Sequence, residues 1–239
     1  MQRLSAGKIL ALWETGRPQH ALDRALTILA AATPGASRDT LADLSVGERD
    51  ARLLELRAMV LGPHAEGFAE CPRCQERVEF ALETGTLAPE GRASARPPDA
   101  LAPHEIEENG ATIPFRLPTS RDLAEAVTAL DSSDTLRRLV QRCSGREDLP
   151  NETIETLSRA MLAADPQAEI ILRLTCPACA HAWDLLFDIV EFFWKEISAQ
   201  AQRLLREIDT LARAYGWTER EILNLPAQRR QTYLEMLAA

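Results

Sequence analysis

Apolar residues near the C-terminus recur at alternating steps of three and four, which predicts one long helix. The stripe consists of Phe187, Val190, Trp194, Ile197, Ala201, Leu204, Ile208, Leu211 and Tyr215. A seam this regular packs either on other helices of the same chain or on a partner helix or a second copy. Gly216 predicts the end of the helix, and a capping box of Thr218 and Glu221 predicts a further helical tail.

Helical patterns also dominate the rest of the chain. Residues 45–63 begin with a capping box, Ser45 and Glu48, and end at a Gly-Pro pair. Shorter helical patterns precede this segment, and Pro18 suits the first turn of one of them. Two or three more helices are predicted between residues 119 and 164. The chain is therefore predicted to be mainly α.

Short strand patterns flank two cysteine pairs and one turn. Cys71-Pro-Arg-Cys74 lies between "EGFAE" and "RVEFAL", and Cys176-Pro-Ala-Cys179 lies between "IILRLT" and "AWDLLF". Each unit predicts a strand, a tight turn and a second strand. An Asn-Gly pair at 109–110 separates two further short runs and predicts a β-hairpin.

The two cysteine pairs together predict a structural zinc site. Each tight turn presents two thiolates from one side, and four thiolates complete the closed tetrahedral shell of structural zinc. Thiolates also favour zinc over hard cations. Because loop-closure entropy grows only with the logarithm of loop length, the long insertion between the pairs is tolerable. We predict that one Zn²⁺ is bound by Cys71, Cys74, Cys176 and Cys179.

Other uses of the cysteines stay open at this point. A thioredoxin-type redox pair needs one pair in a strand-to-helix context, and a catalytic zinc needs an open coordination position. A metal-free or degenerate site is a third alternative. His181 would bind the metal only in place of one of the four cysteines. Otherwise it is a polar residue of the strand after the second turn. Cys143 closes an apolar helix and is predicted to be a buried small hydrophobe.

Composition and net charge argue against several kinds of function. The 239 residues are 46% hydrophobic, enough for one elaborated domain or two small ones. The net charge of −9 and the lack of a basic run argue against broad binding to nucleic acid or anionic membranes. No stretch resembles a signal peptide or a membrane span of ~18–20 apolar residues. We expect a cytoplasmic protein, in which thiols stay reduced.

Catalytic signatures are missing from the sequence. It contains no Gly-rich phosphate loop, Ser elbow, HExxH motif or paired carboxylates with a positioned base. We therefore expect a protein that is not an enzyme. The predicted fold class is mainly α with a small β part: a helical domain, a split four-cysteine zinc ribbon, a short β-hairpin and a long C-terminal helix.

The predicted organisation comprises six segments along the chain. They are an N-terminal helical segment (1–64), a first zinc knuckle (65–82), a flexible loop (83–103), a hairpin and helical insertion (104–170), a second zinc knuckle (171–188), and the long C-terminal helix with a helical tail (189–239). The two knuckles bracket the insertion, so a shared metal would determine where the insertion starts and ends.

The order of these features resembles a known family. It runs "LSVGERDARLLELRAMVLGP", "CPRCQERVEF", "FRLPTSRDLAEA", "LRLTCPACAHAWDLLFDI" and "AYGWTEREILNLPAQRRQTYLEML". This order is similar to the baseplate hub assembly chaperones of T-even-type contractile phages. It is more similar to the zinc-knuckle-bearing members in phage-tail-like contractile injection systems. The likeness covers most of the chain except residues 83–103.

The resemblance implies a non-enzymatic assembly factor or structural component of a baseplate hub. Its expected partners are hub, spike or tube-initiating proteins of a contractile tail, and it could become part of the tail-like particle. Self-association through the C-terminal helix is a further expectation, whereas nucleic-acid binding is not expected. The alternative is a zinc-ribbon protein with a nucleic-acid-binding or regulatory function.

Overall fold

The computed structural model describes residues 1–87, 101–108, 110–127 and 131–238. Helices comprise 58% of the residues and strands 16%, which confirms the mainly α class. The helices are α1 Ala6–Gly16, α2 Ala21–Ala32, α3 Arg38–Ala42, α4 Val46–Leu61, α5 Ser120–Ala126, α6 Ser132–Ser144, α7 Asn151–Ala164, α8 Ile189–Tyr215, α9 Glu219–Asn224 and α10 Ala227–Ala238.

Within the described residues, six strands form three separate antiparallel hairpins. They are β1 His64–Glu70 with β2 Arg77–Glu83, β3 His104–Glu108 with β4 Ala111–Phe115, and β5 Ile171–Thr175 with β6 Ala182–Leu186. All three hairpins were predicted. Asn109, one of the two residues that predict the β3–β4 turn, lies outside the described residues.

Capping side chains set where two of the N-terminal helices begin. Ser45 caps α4 as predicted, because its hydroxyl accepts the N–H of Glu48 at 3.2 Å. The start of α2 differs from the prediction. His20 is the cap residue there, and Pro18 lies in the turn before it rather than in the first helical turn. The reason is that the N–H of Gln19 bonds back to the carbonyl of Gly16 at 3.1 Å, so the chain turns before the helix begins.

The main hydrophobic core forms around α8. Its apolar stripe is buried along its length except at the terminal Tyr215, which is 36% exposed. Helices α1, α2, α4, α9 and α10 of the same chain pack on α8. Of the two packing alternatives, the structure therefore has the one within the chain. Self-association through α8 remains a prediction.

A second, smaller core lies in the insertion between the two cysteine hairpins. Its members come from β4, α6, the segment before α7, and α7: Ile113, Phe115, Val140, Cys143, Leu149, Ile154, Leu157 and Met161. Of the segment predicted as a flexible loop, residues 88–100 lie outside the described residues. Its beginning is ordered, because Thr84–Thr86 forms one 3₁₀ turn and the Thr84 hydroxyl donates to the carbonyl of Pro63 at 3.0 Å.

The insertion is joined to the N-terminal helices where α4 begins. The backbone N–H of Gly47 donates to Oδ2 of Asp165 at 2.8 Å. A Cβ atom on residue 47 would lie 2.1 Å from the other carboxylate oxygen, so this close approach requires glycine. Ser45 also forms a bridge with Thr119, just before α5. Among the described helices, none has both the length and the apolarity to cross a bilayer.

Candidate metal centre

The four predicted ligands meet at one place. The sulfur atoms of Cys71, Cys74, Cys176 and Cys179 all lie within 4.8 Å of one another. Two pairs run between the hairpins: Cys71 Sγ lies 3.7 Å from Cys179 Sγ, and Cys74 Sγ lies 3.6 Å from Cys176 Sγ. All four are free thiols rather than disulfides. The cysteine turns, far apart in sequence, thus form a single cluster.

The spacing of the sulfur atoms fits tetrahedral coordination. Four sulfurs placed about 2.3 Å from a central zinc ion would be separated by about 3.8 Å along each edge of the tetrahedron. The two inter-hairpin separations, 3.7 and 3.6 Å, are close to that value. Because all four donors are thiols, the cluster suits a thiophilic metal better than a hard cation such as Mg²⁺ or Ca²⁺.

A specific backbone turn places the first two thiols. The N–H of Cys71 donates to the carbonyl of Glu76 at 2.9 Å, and the N–H of Gln75 donates to the carbonyl of Cys71 at 2.8 Å. These two bonds close a loop between the ends of β1 and β2. The loop turns both side chains of the cysteine pair to the same side, which is what a bidentate metal half-site requires.

The second turn repeats this pattern. The N–H of Cys176 donates to the carbonyl of His181 at 2.9 Å, and the N–H of Ala180 donates to the carbonyl of Cys176 at 2.9 Å. In both turns the fourth residue after the first cysteine is left-handed: φ is 61° at Gln75 and 54° at Ala180. Neither is glycine, the residue that adopts this conformation most easily. Sequence reasoning missed these strained positions because no glycine indicates them.

Each turn offers one inner and one outer thiol. Cys71 and Cys176 are both 1% exposed, whereas Cys74 is exposed and Cys179 is half-buried. Val78 is buried beside the cluster, and Trp183 packs against it from β6. The inner half of the site is therefore closed by protein, and solvent reaches the cluster from the side of Cys74.

The pKa values of the two thiols in the first turn shift in opposite directions. Burial raises the pKa of Cys71, but hydrogen bonds, first that from the backbone N–H of Cys74, bring this pKa down to about 7. The backbone N–H of Glu76 lowers the pKa of Cys74, but the neighbouring thiols, Cys179 foremost, and burial raise it to about 12. Adjacent thiolates repel one another. A bound dication removes this conflict because it favours the deprotonated form of each ligand.

The other two sequence candidates lie outside the cluster. The ring of His181 stacks on Trp183 with a centroid separation of 6.3 Å, and the residue's backbone carbonyl supports the second turn. Cys143 is 4% exposed within the second core, as predicted for a small hydrophobe. Burial raises the pKa of Cys143 to about 12, which keeps it an unreactive thiol at neutral pH.

A buried ion pair ties the first hairpin to α8. The Arg57 guanidinium bonds both carboxylate oxygens of Glu196, at 2.9 and 2.6 Å. Its remaining donors reach the carbonyls of Gly62 and His64, both at 2.7 Å. The arginine side chain is 4% exposed and that of the glutamate 25%. Arg57 thus joins the end of α4, the start of β1 and α8, a role that sequence reasoning missed because Arg57 and Glu196 are far apart in the chain.

The second hairpin is positioned by apolar burial and chain continuity. Leu172 and Leu174 of β5 are part of the main core. The N–H of Phe187 donates to the carbonyl of Ile170 at 2.8 Å and closes the base of the hairpin. Immediately afterwards Asp188 caps α8 by accepting the N–H of Val190 at 2.8 Å. The second hairpin is therefore held by its two buried leucines and by its direct connection to α8.

Comparison with known proteins assigns no family to the chain. No protein-family model matches it, no curated protein is significantly similar to it, and no solved structure matches it. The functional argument therefore depends on the geometry of the cysteine cluster and on the order of motifs in the sequence.

Proposed function

We propose that the four-cysteine cluster binds one structural Zn²⁺. The observation that carries this proposal is the meeting of four thiols within 4.8 Å at the spacing of a tetrahedral shell. When bound, the ion supplies the charge that stabilises four thiolates side by side. Because four cysteines leave no open coordination position, the site acts as a clamp and not as a catalyst. The clamp joins β1–β2, which follows α4, to β5–β6, which precedes α8.

The clamped protein is, in this proposal, a non-enzymatic assembly factor or structural component of a contractile-tail baseplate hub. The order of motifs supports this function through its resemblance to baseplate hub assembly chaperones. The charge around the first turn also favours a protein partner over nucleic acid. On the exposed face of β1–β2, Glu66, Glu70 and Glu79 accompany one arginine, Arg77, and such an acidic surface repels phosphates.

Metal analysis tests the zinc centre directly. Protein purified without chelator or added metal should contain about one zinc per chain. Cys176→Ser should lose that zinc and fold poorly, because it removes a buried ligand. Cys143→Ser is the matched control: it changes a buried cysteine outside the cluster, so zinc content should not change. Wild-type protein without zinc, or a Cys176→Ser variant with full zinc content, would contradict the proposed centre.

Reconstitution tests the assembly role. The protein should be co-expressed one by one with the hub, spike and tube-initiating proteins of any contractile tail encoded in the same genome, and the products separated by size exclusion. A complex of defined stoichiometry with one of them is expected. Failure to bind any of them, combined with strongly salt-dependent binding to DNA or RNA, would replace this function with the nucleic-acid alternative.

A further inference from the structure

The cysteine cluster consists of two inter-hairpin pairs, each with one outer and one inner sulfur. Cys74 is exposed, and its Sγ lies 3.6 Å from that of Cys176, which is 1% exposed. Cys179 is half-buried, and its Sγ lies 3.7 Å from that of Cys71, also 1% exposed. A solvent-borne oxidant would therefore reach one sulfur of each pair first. The second sulfur of the pair is already in contact with it.

We propose that this cluster is also an oxidation site, at which hydroperoxides convert it into the disulfides Cys74–Cys176 and Cys71–Cys179. The inference rests on the proposed zinc centre, since coordinated thiols are held as thiolates, the form that reacts with peroxides. Of the pairings that four cysteines allow, this one joins each outer sulfur to the inner sulfur of the opposite hairpin, at 3.6 and 3.7 Å. Each S–S bond requires an approach of only about 1.6 Å.

The chemistry balances with one hydroperoxide for each pair. The Cys74 thiolate attacks the peroxide oxygen, so an S–O bond forms, the O–O bond breaks, and the departing hydroxide or alkoxide takes a proton. The Cys176 thiolate then attacks the resulting sulfenic sulfur, an S–S bond forms, and hydroxide leaves and is protonated to water. The two sulfurs together lose two electrons, which the peroxide gains. Cys179 and Cys71 react in the same way with a second peroxide.

Oxidation in this pairing would release the metal and keep the hairpins joined. Disulfide sulfur carries no negative charge, so it does not replace a thiolate as a metal ligand. The two bonds would link residues separated by 102 and 108 positions in the chain. Cross-links over such long loops restrict the unfolded chain strongly. The fold should therefore survive loss of zinc by oxidation better than loss of zinc by chelation.

Peroxide titration of the zinc-loaded Cys143→Ala protein tests the proposal. This background removes the buried fifth thiol and leaves the cluster complete. Zinc released to a chromophoric chelator, non-reducing peptide mapping and circular dichroism are measured on the same samples. We expect loss of the bound zinc, peptides joined as 74–176 and 71–179, and retention of helical signal and cooperative thermal unfolding. Thiol reductant plus zinc should restore the metal.

Matched double variants separate the two pairings in the same background. Cys71→Ser with Cys179→Ser leaves Cys74 and Cys176, which should form a disulfide readily. Cys71→Ser with Cys176→Ser leaves Cys74 and Cys179, which should form one more slowly. If the variants do not fold, the peptide map of the four-cysteine protein decides.

Three results would overturn the inference: disulfides in either of the other two pairings, overoxidation to sulfinic acid, or intact thiols with zinc retained. Failure of the zinc centre itself is recognised separately, because metal analysis before peroxide addition would then find no zinc.

Discussion

The β1–β2 and β5–β6 hairpins contain the same cysteine turn, yet they are attached to the helices differently. The second hairpin places Leu172 and Leu174 in the main core and continues directly into α8. The first hairpin contributes only partly buried residues to that core: Ala69, Phe80 and Leu82. Its firmest attachment is polar, through Arg57, which binds the carbonyls of Gly62 at the end of α4 and His64 at the start of β1.

This difference indicates which half of the metal site depends on the metal. Burial of a leucine stabilises a fold by up to about 1.5–3 kcal/mol, and the contribution of Leu172 and Leu174, which are 8% and 9% exposed, does not require zinc. Among the described residues, the first hairpin contributes no buried side chain to the main core, and its buried Val78 packs instead beside Cys71 and Cys176. Its turn should therefore be held in place mainly by the inter-hairpin cluster and by the Arg57–Glu196 pair. The second turn should be largely in place before metal binds.

Metal removal should lower the stability of the protein more than any other change, and it should loosen the first hairpin more than the second. A strong chelator with reductant is expected to lower the thermal midpoint markedly, because zinc contributes roughly 10–16 kcal/mol in isolated zinc-finger peptides. Hydrogen–deuterium exchange should increase most in residues 64–83 and less in residues 171–186. Equal increases in the two hairpins would show that their different anchors do not matter. Restoration of protection by added zinc controls for damage by the chelator.

Breaking the polar anchor should have the next largest effect. Arg57→Met leaves Glu196 partly buried without its cation and frees the carbonyls of Gly62 and His64. We expect a loss of about 3 kcal/mol in the free energy of unfolding. Chemical denaturation measures this loss, and hydrogen exchange should locate its local effect at β1–β2 rather than at β5–β6.

The matched control for Arg57 lies on α8 itself. Arg213 pairs with Asp209 at 2.8 Å, but their side chains are 79% and 59% exposed. Because solvent screens exposed pairs, Arg213→Met should cost less than about 0.5 kcal/mol and should leave hydrogen exchange in the hairpins unchanged. If Arg57→Met is as mild as this control, the first hairpin is held by something other than its buried ion pair.

The cysteine spacing and the helical periodicity were sufficient to predict most of the fold. The α8 stripe and the three hairpins follow from local patterns, since a repeated turn or a period of three and four residues can be read within a short window. The grouping of Cys71 with Cys176 is long-range, but it was predictable because each turn supplies only two of the four ligands that structural zinc needs. The caps Ser45 and Thr218 were predicted in the same way and are present.

The features that were missed depend on distant residues or on strain. Nothing near Arg57 in the chain indicates Glu196, and nothing near Gly47 indicates the carboxylate of Asp165. The left-handed backbone at Gln75 was not visible either, because the usual signal is glycine. Pro18 was misplaced since a turn, rather than a helix, uses its fixed φ. Long-range polar contacts and tertiary strain therefore limited the prediction more than secondary structure did.

Acid should release zinc from the cysteine cluster and protonate the Asp122 carboxylate in different pH ranges. Burial raises the pKa of Asp122, but hydrogen bonds from Arg116 and Thr119 hold it well below the ordinary range. Its stabilisation is therefore complete above the unfolded pKa near 4 and is lost as the pH falls below that value. Thiols bind protons more tightly than carboxylates do, so zinc should leave at a higher pH.

Two probes followed across one acid titration would separate these events. Zinc release to a metal indicator reports the clamp, and hydrogen–deuterium exchange in peptides of α5, α6 and α7, corrected for the intrinsic pH dependence of exchange, reports the insertion. Asp122→Asn should lower the free energy of unfolding by about 2 kcal/mol at pH 7. It should also weaken the unfolding step of the insertion at the lower pH and leave the pH of zinc release unchanged. Asp209→Asn, at an exposed carboxylate, is the control and should alter neither step. A single transition in both probes would mean that the two regions unfold together.

Glycine at the left-handed positions should give the smallest effect and tests whether the turns are equivalent. Gln75 and Ala180 have φ values of 61° and 54°, where a side chain is strained by about 1–2 kcal/mol. Glycine relieves this strain but costs entropy on folding, so Gln75→Gly and Ala180→Gly should each stabilise by up to about 1 kcal/mol.

Both residues are exposed, so neither change removes packing. Denaturant unfolding of zinc-loaded protein measures the two gains. Similar gains would mean that the turns are strained alike and that only their anchors differ. A gain at residue 180 without one at residue 75 would show that the first hairpin can relax its turn, as expected of the more weakly anchored half.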